Sequence, residues 1–340
     1  MGDEKQDLLK LQRQLIPDLL DVMKKRYRIL HHLHLVQPIG RRGLAQQLQM
    51  TERILRAETD FLKEQGLVDM ETVGMRLSAQ GGALLEQLAD VVREFDGLAD
   101  KERRLAARLG LEHVRIVPGD ADVDPLALKA MGHAAAEYLK KNLRQGDTLA
   151  VTGGTATAAV AEAMPRTQLG VDVVPARGGL GSNLAFQANT IASTLATKLG
   201  GSYRLLHMPD LVSEEAFSSM GQDPETQETL RRIREARMVV HGIGQAIPMA
   251  RRRQLDASKI EELAAYGAVA EAFGYYLDRT GHIVHAMNTI GLRLADLKQM
   301  ERIVAVAGGR NKSEAIVAVA NAIPLKVLVT DEGAADAILG

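Results

Sequence analysis

The 340-residue sequence contains no cysteine. That excludes disulfides, thiolate zinc sites and cysteine nucleophiles together, and it fits a reducing compartment. No apolar run approaches the roughly 18 residues of a membrane span. The first residues, MGDEKQDLLKLQRQ, carry acids where a secretory leader would carry basic residues and an apolar stretch, so a cytoplasmic protein is expected. There is no HExxH and no clustered metal-ligand spacing, and neither metal nor cofactor is expected. Internal repeats and low-complexity tracts are also missing.

A net charge of −1 would exclude a nucleic-acid binder if it were evenly spread, but it is not. Residues 22–63 hold nine Lys/Arg and three acids, about +6, which leaves the rest of the chain at about −7. Such a split indicates a basic module joined to an acidic body. Hydrophobic content of 46% and charged content of 25% are ordinary for a globular chain, and the length suits two domains.

From about residue 111 onward, short apolar runs alternate with helical patterns. The runs are VRIVPG (114–119), DTLAVTGG (147–154), VDVVPARGG (171–179), YRLLHMP (203–209), RMVVHGIG (237–244), GHIVHAM (281–287), RIVAVAGG (302–309) and LKVLVTDEG (325–333). Rich in Val and Ile and ending in Gly or Pro, they predict a doubly wound parallel sheet. In open α/β sheets ligands bind beyond the carboxyl ends of the strands. Those ends read TGGT, ARGG, HGIG, AGGRNK and TDEG. Glycine lets the backbone approach a ligand, and the following helix start offers N–H groups to a phosphate. Any one of these loops could simply end a strand tightly; several with nearby cations (Arg177, Lys312) point to a phosphate site.

Residues 22–77 read as a winged helix-turn-helix. VMKKRYRILHHLHLV spaces Met23, Ile29, Leu30, Leu33 and Val36 as a helix, and GRRGLAQQLQM gives a second with Leu44, Ala45 and Leu48 inward. In the third, TERILRAETDFLKEQGLV, Thr51 is the N-cap, Ile54, Leu55, Phe61 and Leu62 face the core, and Gly66 is the stop. LVDMETVGMRLSAQG alternates around Gly74 like a hairpin wing. Glu52, Arg53 and Arg56 stand near the start of the third helix, where such a module reaches base edges, and Arg suits guanine there. Lys24, Lys25, Arg41 and Arg42 would meet DNA phosphates. The other reading is a helical interaction domain with solvated charges. The connector spaces Leu84, Leu88, Val91, Phe95 and Leu98 as an a/d seam. It fits either pairing between subunits or packing on its own domain. The expected organisation is therefore multi-domain. A winged helix-turn-helix spans 1–78, a helical linker or oligomerisation segment 79–110, and an α/β Rossmann-like domain 111–340.

The motifs LIPDLL (15–20), PIGRRGLAQQL (38–48), LKEQGLVDM (62–70), VTGGT (151–155), VPARGGLG (174–181), QANTIA (187–192), VHGIG (240–244), EAFGYY (271–276), VAGG (306–309) and VLVTDEGAA (327–335) together resemble the SorC family of bacterial transcription regulators. The resemblance covers nearly the whole chain. It implies an operator-binding winged helix-turn-helix and a C-terminal effector sensor with the fold of sugar-phosphate isomerases and deaminases. It further implies a repressor of glycolytic genes, induced by fructose-1,6-bisphosphate and acting as a homo-oligomer, dimer or tetramer. Carried onto this sequence, Thr152, Gly153, Gly154 and Thr155 would hold one phosphate. Arg177 and Lys312 would add charge, and Gln187, Arg252 and Glu271 would complete the pocket, with Arg252 a candidate for a second phosphate. Related loops often read GGTT or GGST; here position 156 is Ala, which removes a hydroxyl. By itself, Arg251-Arg252-Arg253 reads more readily as a solvated helix end than as a phosphate clamp, and only the resemblance reverses that order. DNA contacts would fall on Arg41, Arg42, Thr51, Glu52, Arg53 and Arg56.

The alternative is a sugar-phosphate isomerase or deaminase with a DNA-binding appendage. Such an enzyme needs a positioned acid/base pair. Related deaminases carry a G-x-G-x-D-G-H-I-A-F-type segment where this chain has HGIGQAIPMARRRQ, without the Asp and His. Asp331 and Glu332 could be proposed as the pair, but N-caps of the last helix are the simpler role. His207, His241 and His285 read as core or wall residues in strands. No catalytic residue is expected, and Thr155→Val or Arg177→Ala is expected to keep DNA binding and lose the sugar-phosphate response.

Overall fold

The computed structural model describes residues 15, 17–211 and 223–340. They form two compact units, divided between Asp100 and Lys101. Residues 1–14, and Ile16 of the LIPDLL motif, lie outside the described residues.

In the first unit, helices α1 (Pro17–Val36), α2 (Arg41–Leu48) and α3 (Glu52–Glu64) precede an antiparallel hairpin, β1 (Val68–Glu71) and β2 (Gly74–Leu77). Helix α4 (Ala79–Phe95) follows. Ile29, Leu30, Leu33, Leu44, Ala45, Leu48, Leu55 and Leu62 close one core, as their spacing predicts. Thr51 caps α3 by accepting the Ile54 N–H at 3.3 Å. Gly66, at φ +70°, reverses the chain after that helix. Ile54 corrects the prediction: it is 43% exposed. The buried face of α3 is Leu55, Thr59 and Leu62, and Ile54 sits a helical step, about 100°, off it. The connector is two helices, α4 and α5 (Leu98–Leu109), with Gly97 at φ +73° between them. Gly81 is obligatory, since a Cβ there would stand 2.1 Å from the Leu67 carbonyl oxygen.

The second unit is built on six parallel strands in the order β3-β12-β11-β6-β4-β5. They are β3 (His113–Val117), β4 (Thr148–Val151), β5 (Asp172–Pro175), β6 (Met238–Gly242), β11 (Arg302–Val306) and β12 (Val327–Asp331). Near-continuous apolar runs are what a parallel sheet covered on both faces requires. Leu149, Ala150 and Val151 are each 0% exposed. A smaller antiparallel sheet, β10-β9-β8-β7, stands beside it. Its strands are β7 (Gly244–Gln245), β8 (Ala270–Ala272), β9 (Tyr275–Leu277) and β10 (Ile283–Ala286).

Two predicted strands fall elsewhere. Residues 281–287 supply β10 of the small sheet, not a member of the parallel one. Residues 203–209 form no regular strand. They touch β5 through one bridge, Val173 with Tyr203, and the loop after it through another, Gly179 with Pro209, while the Asn189 side chain bonds both backbone groups of Leu206 at 3.1 Å.

Helix α6 (Pro125–Asn142) lies directly against α7 (Thr155–Ala163). A Cβ on Gly132 would come 2.6 Å from the Ala159 carbonyl oxygen. The small residues of TATAAVAEA are what permit this approach, so α7 is fixed firmly behind the TGGT loop.

Candidate functional site

The chain runs from β4 outward to β5, then returns to the other side of β4 as β6. The loops after β4 and β6 therefore diverge and leave a crevice, the place where ligands sit in open α/β sheets. The loop after β4 is TGGT. Thr152 is held by its N–H donating to Val240 O at 3.1 Å, and its hydroxyl accepts from the Gly242 N–H at 3.4 Å. A Cβ on Gly153 would lie 2.7 Å from Phe186 O. Gly154 takes φ +140° and donates to that same oxygen at 2.9 Å. It is the N-cap of α7 and has no side chain to cap the helix. The first helical bond is Ala158 N–H to Gly154 O at 3.0 Å, so the amides of Thr155, Ala156 and Thr157 have no helical acceptor. Open amides and the positive helix end suit an anion.

All nine residues selected from sequence for an effector line one cavity of about 220 Å³ at this crevice: Thr152, Gly153, Gly154, Thr155, Arg177, Gln187, Arg252, Glu271 and Lys312. Ala156 lines it as well. They come from residues 152 to 312, so the topology brings together what the sequence separates widely.

Their physical situations differ. Arg177 is buried and holds Asp210 through Nε at 2.9 Å and Nη2 at 2.8 Å, and Glu271 through Nη1 at 3.1 Å. Arg253, which sequence reading did not select, meets the same two carboxylates at 3.1 Å each. Two cations and two anions thus form a neutral buried quartet in the cavity wall. Burial pushes the Glu271 carboxyl up, but Arg253 and Arg177 hold it below its ordinary range. Burial also opposes the charge on Arg253, while Glu271 and Asp210 outweigh it and raise its pKa. Gln187 is a brace: its amide donates to Leu180 O at 3.0 Å and Gly181 O at 2.6 Å and accepts from the Leu180 N–H at 3.1 Å.

Arg252 and Lys312 are the cations left over. Neither side chain forms a hydrogen bond or ion pair among the described residues. Arg252 is exposed at the cavity rim. Burial lowers the Lys312 pKa, with Asp122 and Asp331 opposing. A bound anion would complete what both lack.

His241 also lines the cavity at 1% exposure, and burial holds its pKa down at about 4. His285 lies on β10, but His207 is exposed and in no strand, contrary to expectation. Asp331 is no acid/base group. Its Oδ1 accepts from Ala334 N–H at 2.9 Å as the N-cap of the last helix (Glu332–Leu339), and its Oδ2 accepts from Ala121 and Gly309 N–H at 2.7 Å. Glu332 is spent on Lys101 at 3.2 Å.

In the first unit Arg53 and Arg56 are exposed on α3 and have no partner among the described residues. Arg42 faces Glu52 across 3.6 Å with 91% of its side chain exposed. Arg41 pairs with Asp60. Lys24 meets Asp96 and Lys25 meets Glu58, both at 2.5 Å. An exposed pair such as Arg42–Glu52 is worth about 0–1 kcal/mol, little enough for a phosphate to displace.

Residues 93–340 match the family described as "Putative sugar-binding domain", and residues 22–92 match the CggR N-terminal DNA binding domain. The central glycolytic genes regulator of Priestia megaterium is 46% identical over 96% of this chain and 97% of its own. That of Bacillus subtilis is 45% identical over 98% of each. The crystal structure of a SorC family transcriptional regulator from Enterococcus faecalis covers 71% of this chain and all of that one, with TM-score 0.67 and 39% identity. The full-length sorbitol operon regulator SorC from Klebsiella pneumoniae shares the fold, with TM-score 0.70 and 18% identity over 89% of this chain and 94% of that one.

Proposed function

The chain belongs to the SorC family of transcription regulators, among the central glycolytic genes regulators, and is no enzyme; from that premise we propose that it represses glycolytic genes and is released from operator DNA by fructose-1,6-bisphosphate. The first unit acts as a winged helix-turn-helix. The start of α3 enters the major groove with Arg53 and Arg56, Thr51 and Glu52 flank them, and Arg41 and Arg42 meet phosphates. The second unit acts as a sensor with the Rossmann-like fold of sugar-phosphate isomerases. The TGGT loop and the start of α7 hold one phosphate, and Lys312 and Arg252 supply the charge. The protein works in the cytoplasm as a homo-oligomer, which a two-fold operator favours.

One observation carries the reading. Nine residues selected for an effector meet in one cavity at an uncapped helix start, and two of them, Arg252 and Lys312, have side chains with no hydrogen bond or ion pair among the described residues. The sensor acts through linkage: the sugar phosphate favours one state of the protein and DNA the other. Recovering genomic fragments on the purified protein at fixed salt, with and without fructose-1,6-bisphosphate, tests it. Selective fragments lost on adding the sugar are expected. Selective fragments indifferent to it would overturn the effector, and no selectivity would overturn the operator reading.

A further inference from the structure

His241 sits on β6 one residue before its end and lines the cavity. Its Nδ1 is 3.0 Å from the Gly242 carbonyl oxygen. A carbonyl oxygen only accepts, so Nδ1 carries the proton and Nε2 is an acceptor. That Nε2 is buried and has no hydrogen-bond partner among the described residues. A buried orphan of this kind costs free energy and is rare in folded proteins.

The ring is held where it is. Phe273 packs on it with centroids 4.7 Å apart and planes at 46°. Phe273 itself takes φ +52°, in the left-handed region, at the turn between β8 and β9. Such conformations in bulky residues persist where surroundings enforce them, and they gather at ligand sites. The same hairpin carries Glu271. The Glu271 contacts with Arg177, Arg253 and the Gly274 N–H all engage Oε1, which leaves Oε2 as a second acceptor. The cavity therefore has cations and open amides for phosphates, and two of the residues that line it, His241 and Glu271, keep acceptor atoms not committed to a donor among the described residues.

A sugar's hydroxyls are the donors such acceptors need. We propose that Nε2 of His241 accepts a hydrogen bond from a hydroxyl of the bound sugar phosphate, making this histidine a specificity residue that distinguishes a polyol chain from its phosphates alone. The inference rests on the sugar-phosphate reading of the cavity. Burial keeps the imidazole neutral, with a pKa of about 4, so the acceptor is available throughout the neutral range. A site built to bond a hydroxyl rejects the analogue without it, because its own polar group stays unpaired.

The test titrates the full chain calorimetrically with fructose-1,6-bisphosphate and with hexane-1,6-diol bisphosphate, which has the phosphates but no hydroxyls. His241→Phe keeps the ring and its packing on Phe273. It should weaken the sugar bisphosphate about tenfold and leave the diol bisphosphate unchanged. His241→Gln, which restores an acceptor, should recover part of the loss. Equal weakening of both ligands, or of neither, overturns the proposal. Nitrogen-15 shifts of the wild-type imidazole decide it without any variant: the sugar bisphosphate should move Nε2 while Nδ1 stays protonated, and an unmoved Nε2 with the sugar bound overturns it. Sugar binding with an unmoved Nε2 removes this inference alone. Absence of any sugar-phosphate binding by the wild type removes the underlying reading as well.

Discussion

Arg177 and Arg252 line the same cavity in opposite physical situations. Arg177 is 7% exposed and commits its guanidinium to Asp210 and Glu271. Arg252 is exposed and uncommitted. Removing one partner of a buried ion pair strands the others and costs about 3–5 kcal/mol. Arg177→Ala should therefore lower the melting temperature by several degrees, beyond the loss of effector response that the sequence suggests. Arg252→Ala should leave the melting temperature within a degree or so and weaken fructose-1,6-bisphosphate. Scanning calorimetry and a binding titration on both variants separate the roles; equal melting temperatures would mean that the quartet contributes nothing to stability. His241 adds a pH dependence. Its folded pKa of about 4 lies below the ordinary histidine value of 6.5, so between those values the unfolded chain takes up a proton that the native one refuses. Stability from this residue is complete above pH 6.5 and falls as pH drops toward 4, by an amount on the order of 3 kcal/mol. His31 behaves alike, also lowered to about 4 by burial. His241→Phe should therefore reduce, not abolish, the acid loss seen by denaturant titration between pH 7 and 4. An unchanged acid limb would mean that His241 protonates freely in the folded state.

At the scale of elements, the TGGT loop depends on backbone proximity more than on side chains. A Cβ on Gly153 would meet two backbone groups, Phe186 O at 2.7 Å and Ala188 N at 3.2 Å, neither of which can turn aside. Gly153→Ala should cost about 1–3 kcal/mol of stability and weaken the effector by displacing the 184–188 segment. Retained affinity and melting temperature would show that the segment yields freely. On α3, the exposed Arg53 should contribute about 1–3 kcal/mol to the specific site if it is bidentate to guanine. Arg53→Ala should then lower affinity for operator far more than for random DNA in competition binding, and an equal loss on both would make it a phosphate contact. The parallel strands were legible as near-continuous apolar runs because both their faces are buried, and the core of α1 to α3 because burial on one face imposes a helical period. The small sheet was not: β7, β8 and β9 have two or three residues each, too few for any period to register. The EAFGYY motif marked Glu271 for the site by resemblance, but not the hairpin that presents it. Arg253 was hidden by its neighbours, since three consecutive arginines look alike until a helix end turns one inward. Asp210 stood just past a stretch misread as a strand (203–209), with no acidic pattern to flag it. Ile54 shows the limit of apolar counting, being one residue out of phase with the buried face of its helix.

For the whole molecule, net charge is the least informative quantity, because about +6 in residues 22–63 is cancelled by the acidic remainder. Affinity for DNA should nevertheless fall steeply with salt, as phosphate contacts release counterions. Every binding comparison therefore has to be made at one ionic strength. Under that condition linkage makes a strict demand. If fructose-1,6-bisphosphate weakens operator binding by some factor, operator must weaken fructose-1,6-bisphosphate binding by the same factor, because both paths join the same end states. Couplings of this kind are commonly about 5- to 150-fold. Anisotropy of labelled operator with and without saturating sugar gives one factor, and calorimetric titration of sugar into free and operator-bound protein gives the other. Equal factors are expected, and a factor of one in both would remove the sensor mechanism while leaving each binding activity in place. Unequal factors would mean that the two titrations do not share end states, and the number of chains per operator would be the first quantity to compare between them. Arg252→Ala sharpens the argument. If it acts only by holding the ligand, it should lower affinity in the free and the operator-bound protein alike and leave the coupling factor unchanged. A changed factor would place Arg252 in the transmission of the signal rather than only in its reception.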